Sequence, residues 1–133
     1  MKLNPSQITP SQDFLKPNTV RFILSCFATA NLADLSPAPI VHQDPNGNYV
    51  AIDGHNLLAV MAHRGEDIEV HLAKDAHDGL PPSADQNRER NQDLLEKFEA
   101  CLVERDKVAG RGIQSFQDLI QRNPALFNQE RAE

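Results

Sequence analysis

The chain has 133 residues, a length that favours one compact core of about eighty residues with appended elements over two full domains. Its apolar fraction of 40% includes no run near the roughly 18 apolar residues of a membrane helix, and its start lacks the layout of a secretory signal. We therefore expect a soluble, cytoplasmic protein without a membrane partner. The net charge of −6 would repel a polyanion, which argues against nucleic-acid binding.

The first half of the chain predicts a small α+β unit. ITPSQDFL, residues 8–15, predicts an extended or turn segment, and a helix should follow from Pro17 to about Asn31. Two apolar strands, around Ile40 and Val41 and from Tyr49 to Ile52, flank DPNGN and predict a β-hairpin. An apolar helix should run from residue 55 to residue 64, before Gly65, and IEVHLA after it predicts a half-buried strand with Ile68, Val70 and Leu72 on one face.

The second half predicts a helical extension. Residues 74–84 are rich in Asp, Gly and Pro, so we place a linker there between a core over 8–73 and an extension over 85–123. A charged helix with an apolar stripe should end near Gly110, and its stripe either packs across the core or pairs with a second copy of the chain. Ser115 should cap a short helix, and residues 124–133 should form a frayed tail. Cys26 and Cys101 each lie within an apolar helical pattern and should be reduced core residues.

The turn between the second hairpin strand and the 55–64 helix is the candidate site. A helix that starts directly after a strand presents unpaired N–H groups, here those of His55, Asn56 and Leu57, and such groups attract anions. Gly54 removes a side chain that would obstruct a phosphate, and His55 could donate a hydrogen bond to it. The alternative is structural, with Gly54 present for its backbone and Asp53 acting as the N-cap.

The order of these segments, with Asp53-Gly54-His55 between an apolar strand and an apolar helix, resembles the ParB-like/sulfiredoxin superfamily over residues 8–73. The resemblance implies a small domain with a short mixed sheet. It implies that Gly54, His55, Asn56 and Leu57 hold the phosphates of ATP or CTP with Mg²⁺, as the family's turn does. Asp53 and His55 would then be the catalytic residues of a nucleotide hydrolase or phosphotransferase.

The chain departs from the family pattern after His55. Asn56 and Leu57 stand where many members have a His or Arg and then a phosphate-gripping Arg, and loss of that contact would weaken affinity by about one to two powers of ten. Arg88 or Arg90 from the extension could reach in instead. Sulfiredoxins have their reactive cysteine where His55 stands, so we do not expect peroxiredoxin repair.

Three functions therefore stay open. The first is a domain that binds a nucleotide or phosphate, and the second is a non-catalytic protein-interaction or self-association module acting through residues 85–123. The third is a DNA-binding or nuclease-like partition protein. We predict no dedicated metal site, because Asp75, His77 and Asp78 fall in the predicted linker as solvated residues, although Asp53 could help to hold a nucleotide-bound Mg²⁺.

Overall fold

The computed structural model of the protein describes residues 1–28, 38–74 and 88–128, without the side chains of 88–94 and 128. The strands in these ranges are β1 (Lys2–Leu3), β2 (Ile8–Thr9), β3 (Ile40–Gln43), β4 (Tyr49–Asp53), β5 (Ile68–Glu69) and β6 (His71–Leu72). The helices are α1 (Pro17–Ala28), α2 (His55–Arg64), α3 (Arg88–Gly110), α4 (Phe116–Gln121) and α5 (Pro124–Asn128). This mixture of helices with small sheets confirms the predicted α+β class.

A four-stranded mixed sheet in the order β2-β4-β3-β6 forms the centre of the molecule. β3 and β4 make the predicted antiparallel hairpin, whereas β2 lies parallel to β4 and β6 lies parallel to β3. The hairpin turn is organised by Asp44, whose carboxylate accepts the backbone N–H groups of Asn46 and Asn48 at 2.9 and 2.8 Å. Gly47 takes the left-handed conformation that this turn requires, with φ of 88°.

Helices cover both faces of this sheet. Val50 and Ile52 point from β4 towards α3 and share a buried cluster with Cys101 and with the partly buried Phe98 and Leu102. Ala51, on the opposite face of β4, belongs to the larger cluster that contains α1, α2 and α4. This alternation follows from the two-residue period of a strand. The apolar stripe of α3 thus packs across the core of its own chain, which is one of the two arrangements that its pattern allowed.

The first residues of the chain also belong to the core, although the sequence predicted a core beginning at residue 8. β1 pairs with β5, Leu3 is buried, and the N–H of Val70 donates to the carbonyl of Met1 at 2.7 Å. The predicted strand at 68–73 is therefore divided at Val70, with β5 paired to β1 and β6 paired to β3. Two apolar residues, Met1 and Leu3, in a short polar segment could not predict this pairing with a strand so distant in sequence.

The C-terminal helices pack into the same large cluster. Ser115 is the predicted N-cap of α4, and its Oγ accepts the N–H of Asp118 at 3.2 Å. The sequence predicted fraying from residue 124, whereas residues 124–128 form α5, and Leu126 and Phe127 are buried in the core. Burial of two large apolar side chains outweighs the weak intrinsic stability of a one-turn helix.

Several predictions fall outside the described residues. These are the end of the first helix at Asn31, most of the 74–84 linker with its Asp and His residues, and the tail beyond residue 128. Both cysteines lie within the described ranges and are buried thiols, as predicted. No helix in residues 1–28, 38–74 and 88–128 combines the length and the apolarity that a bilayer crossing needs.

Candidate functional site

The turn between β4 and α2 depends on a glycine for two reasons. Gly54 has φ of 91° and ψ of 25°, a left-handed conformation that an L side chain adopts only at a cost. A Cβ at this position would lie 2.8 Å from the Cβ of Pro39, so the turn is packed against the segment that enters β3. Gly54 is also the N-cap of α2, and no side chain caps this helix, so the prediction of Asp53 as N-cap was wrong.

His55 is buried, with 3% of its surface exposed, and its ring makes a hydrogen bond within the protein. The backbone N–H of Ser11 donates to its Nε2 at 3.0 Å, and the Ser11 hydroxyl donates to the carbonyl of Ala51 at 2.6 Å. Since a backbone N–H can only donate, Nε2 must be unprotonated, and the neutral ring carries its proton on Nδ1. The ring also lies against Phe116, with the centroids 5.7 Å apart.

Burial lowers the pKa of His55 to about 3, with a smaller lowering from the Lys97 ammonium and an opposing effect of Asp53. His55 is therefore neutral at neutral pH. It supplies neither a positive charge beside a phosphate nor an accessible base, since the nitrogen that would accept a proton already accepts the Ser11 N–H.

Asn56 and Leu57 also have structural partners. The side-chain oxygen of Asn56 accepts the backbone N–H of Lys16 at 2.8 Å, and the carbonyl of Lys16 in turn accepts the N–H of Val20 in the first turn of α1. Leu57 is 6% exposed and belongs to the large hydrophobic cluster. His55 and Asn56 thus fasten the two ends of the segment 11–16 to the start of α2, and their side chains are engaged in these contacts.

Asp53 has a different environment, because a lysine of α3 approaches it. The Nζ of Lys97 lies 3.4 Å from Oδ1 of Asp53, and both side chains are partly exposed. Lys97 is the cation that sequence reasoning missed when it looked to Arg88 and Arg90, whose side chains lie outside the described residues. α3 contains two lysines, three arginines and several carboxylates, and only the packing of α3 on β4 selects Lys97.

An open groove of about 530 Å³ lies beside the start of α2, and we call it the Met61 groove. Its apolar lining comes from Phe27, Ala38, Pro39, Leu57, Met61 and Ile68, and its charged lining comes from Lys2, Glu66, Asp67 and Glu69. Arg64 pairs with Glu66 at 3.2 Å, and its guanidinium lies over the ring of Phe27, 4.2 Å from the centroid. The N-terminal amine pairs with Glu69 at 2.8 Å, so two of the three carboxylates in this lining have cationic partners within the chain.

Comparisons of this chain with protein-family models, with curated proteins and with solved structures gave no match. The resemblance to the ParB-like/sulfiredoxin superfamily stays a prediction that depends on the segment order and on Asp53-Gly54-His55. Within residues 1–28, 38–74 and 88–128, no three His, Cys, Asp or Glu side chains come together as a metal site requires.

Proposed function

We propose that this chain is a non-catalytic protein-interaction module with a ParB/sulfiredoxin-like core, in which the phosphate-binding turn has become a structural joint. The contacts of His55 and its neutral state support this proposal. A residue that would contact phosphate in the resemblance instead accepts a backbone N–H from Ser11, is buried against Phe116, and is neutral. Nucleotide binding would require these contacts to break and an opening to form at the start of α2.

The surface supports a role in protein contacts. Among the described residues, Phe14, Phe22 and Val103 expose 52%, 51% and 58% of their surface, and each offers apolar area that a protein partner could cover. The Met61 groove adds a concave apolar surface with charged residues at its rim. Aromatic side chains and methionines are enriched where proteins bind each other, so these features suit a binding module better than an enzyme.

A second candidate function is the binding of a nucleotide or phosphate beside Asp53, with ATP or CTP and Mg²⁺ as the ligands that the family resemblance implies. One observation favours it. The Lys97 ammonium lies 3.4 Å from the carboxylate of Asp53, two residues before α2 begins, and the family's arginine is absent from the start of this helix. A lysine at a helix N-terminus is a recognised arrangement for holding phosphate oxygens.

Isothermal titration calorimetry with ATP, ADP and CTP in the presence of Mg²⁺ separates the two candidates. The first proposal expects no saturable heat up to about millimolar nucleotide, the weakest range in which a phosphate site would still act. A saturable heat that disappears in Lys97→Met, and persists in the matched variant Lys107→Met on the same helix, would overturn it in favour of the second candidate. Lys107 is a suitable control because it is exposed and forms a local ion pair with Glu104 at 3.4 Å.

A further inference from the structure

The hairpin turn between β3 and β4 contains the pair Asn46-Gly47, and both residues are exposed. Asparagine followed by glycine is prone to deamidation, because glycine has no side chain to hinder attack by its backbone nitrogen. The N–H of Gly47 gives up its proton to solvent, and its nitrogen bonds to the side-chain carbonyl carbon of Asn46. The side-chain nitrogen leaves as ammonia, which closes a succinimide ring. Water then opens the ring to give aspartate or isoaspartate at position 46.

The turn holds the attacking nitrogen in a hydrogen bond. The N–H of Gly47 donates to the carbonyl of Asp44 at 2.9 Å. A hydrogen bond made by the protonated form of a group disfavours its deprotonation, and the attack requires a deprotonated nitrogen. Gly47 also has φ of 88°, and its carbonyl accepts the side-chain N–H of Gln43 at 3.1 Å. The backbone is therefore restrained before and after the Cα of Gly47.

Asp44 restrains the neighbouring residues as well. Its Oδ1 accepts the N–H groups of Asn46 and Asn48, and its Oδ2 accepts a hydrogen bond from Arg105 of α3. Asp44 is only 6% exposed, whereas residues 45–48 are all exposed. One buried carboxylate thus fastens an exposed turn to the body of the molecule. The Gly47 N–H leaves its acceptor only when this turn opens.

We propose that Asn46 is a deamidation site controlled by the hairpin turn, slow to react while Asp44 holds the turn closed and fast when the turn opens. The reaction needs only water as a co-reactant. Giving up a hydrogen bond of ordinary net strength before the attack slows the reaction about fivefold, and opening the rest of the turn adds to this factor. This inference is independent of the proposed function.

The products would change the hairpin in two ways. Both products have a carboxylate where asparagine is neutral, two residues from the carboxylate of Asp44. Isoaspartate also routes the backbone through its own side chain and adds one methylene carbon to the turn. Gln43 and Tyr49, which are paired across the hairpin, would then lose their register. Deamidation would therefore make an opening of this turn irreversible.

Peptide mapping by liquid chromatography and mass spectrometry measures the reaction, because aspartate and isoaspartate products separate from each other and from asparagine. The full chain is incubated at neutral pH, folded in buffer and unfolded in guanidinium chloride. We expect Asn46 to react at least about fivefold faster in the unfolded chain. Asn48 is the internal control, because it lies in the same turn but precedes the bulky Tyr49, and it should react more slowly than Asn46 when unfolded.

Two substitutions of Asp44 test its part in the folded protein. Asp44→Ala removes the acceptor of both N–H groups and should raise the rate at Asn46 at least about threefold. Asp44→Asn keeps an acceptor, and its rate should stay within about twofold of the wild type. The asparagine introduced by this control cannot react in the same way, because Pro45 follows it and has no N–H. Circular dichroism checks that both variants are folded.

Equal rates at Asn46 in the folded and the unfolded chain would overturn the inference. A folded Asp44→Ala variant that reacts no faster than Asp44→Asn would overturn it too, because Asp44 would then not hold the turn closed. The same applies if Asn48 reacts as fast as Asn46 in the unfolded chain, since Gly47 would then not favour the attack. None of these results affects the calorimetric test of the proposed function.

Discussion

The buried state of His55 predicts a specific loss of stability at mildly acidic pH. The unfolded chain should protonate this histidine near its ordinary pKa of 6.5, whereas burial in the folded protein lowers the pKa to about 3. As the pH falls through 6.5, the unfolded state therefore takes up a proton that the folded state does not bind, and the folded state loses relative stability. This loss of stability is small above the pKa of His55 in the unfolded chain, and it grows as the pH falls towards the pKa of His55 in the folded protein.

The size of this effect follows from the two pKa values. Each pH unit below the unfolded pKa reduces the free energy of unfolding by about 1.4 kcal/mol, so acidification from about pH 8 to about pH 5 should reduce it by about 2 kcal/mol. Asp44 and Glu69 add little in this window. Their pKa values are lowered, by hydrogen bonds from the Asn48 backbone and from the N-terminal amine respectively, so their stabilisation is lost mainly at lower pH.

Urea unfolding followed by far-ultraviolet circular dichroism at the two pH values measures this loss. His55→Gln is the informative variant, because the glutamine oxygen can accept the Ser11 N–H and does not titrate. The free energy of unfolding of this variant should be lower than that of the wild type. Its decrease between about pH 8 and about pH 5 should be smaller than that of the wild type by about 2 kcal/mol. His71→Gln is the matched substitution at an exposed histidine.

Nuclear magnetic resonance gives an independent measurement on the folded protein. The imidazole signals of His55 should not titrate between about pH 8 and about pH 5, because the folded pKa lies well below this range. A His55 midpoint above about pH 5.5, or an unchanged pH dependence in His55→Gln, would refute the assignment of this residue as a neutral structural group.

Three further predictions concern the fold around the site. Gly54→Ala should reduce the free energy of unfolding by about 1–3 kcal/mol more than Gly65→Ala. Both glycines have a left-handed backbone, but only at Gly54 would a Cβ clash with Pro39. Equal losses in urea unfolding would contradict this. Asp44→Ala should lower the melting temperature more than Asp44→Asn. Asparagine keeps an acceptor for the N–H groups of the hairpin turn and loses only the ion pair with Arg105. The reverse order would make that ion pair the dominant contact. Phe127→Ala should cost about 3–5 kcal/mol in thermal or urea unfolding if α5 is part of the core, and an unchanged stability would restore the expectation of a frayed tail.

The sequence by itself determined the local elements of this protein. The Asn46-Gly47 pair between two apolar strands predicted the hairpin, the glycine after an apolar run predicted the end of α2 at Arg64, and Ser115 predicted the start of α4. These features depend on backbone conformation and on contacts between residues a few positions apart. Such contacts are visible in the sequence because glycine, asparagine and serine favour particular dihedral angles and caps.

Only the tertiary structure shows what surrounds the candidate site. Asp53-Gly54-His55 has the same local pattern whether its N–H groups face a ligand or the protein itself. The residues that approach this turn, Ser11, Pro39 and Lys97, come from three distant parts of the chain. The same reason explains why β1 and α5 were missed: their stability comes from burial against residues far away in sequence, which no local preference encodes.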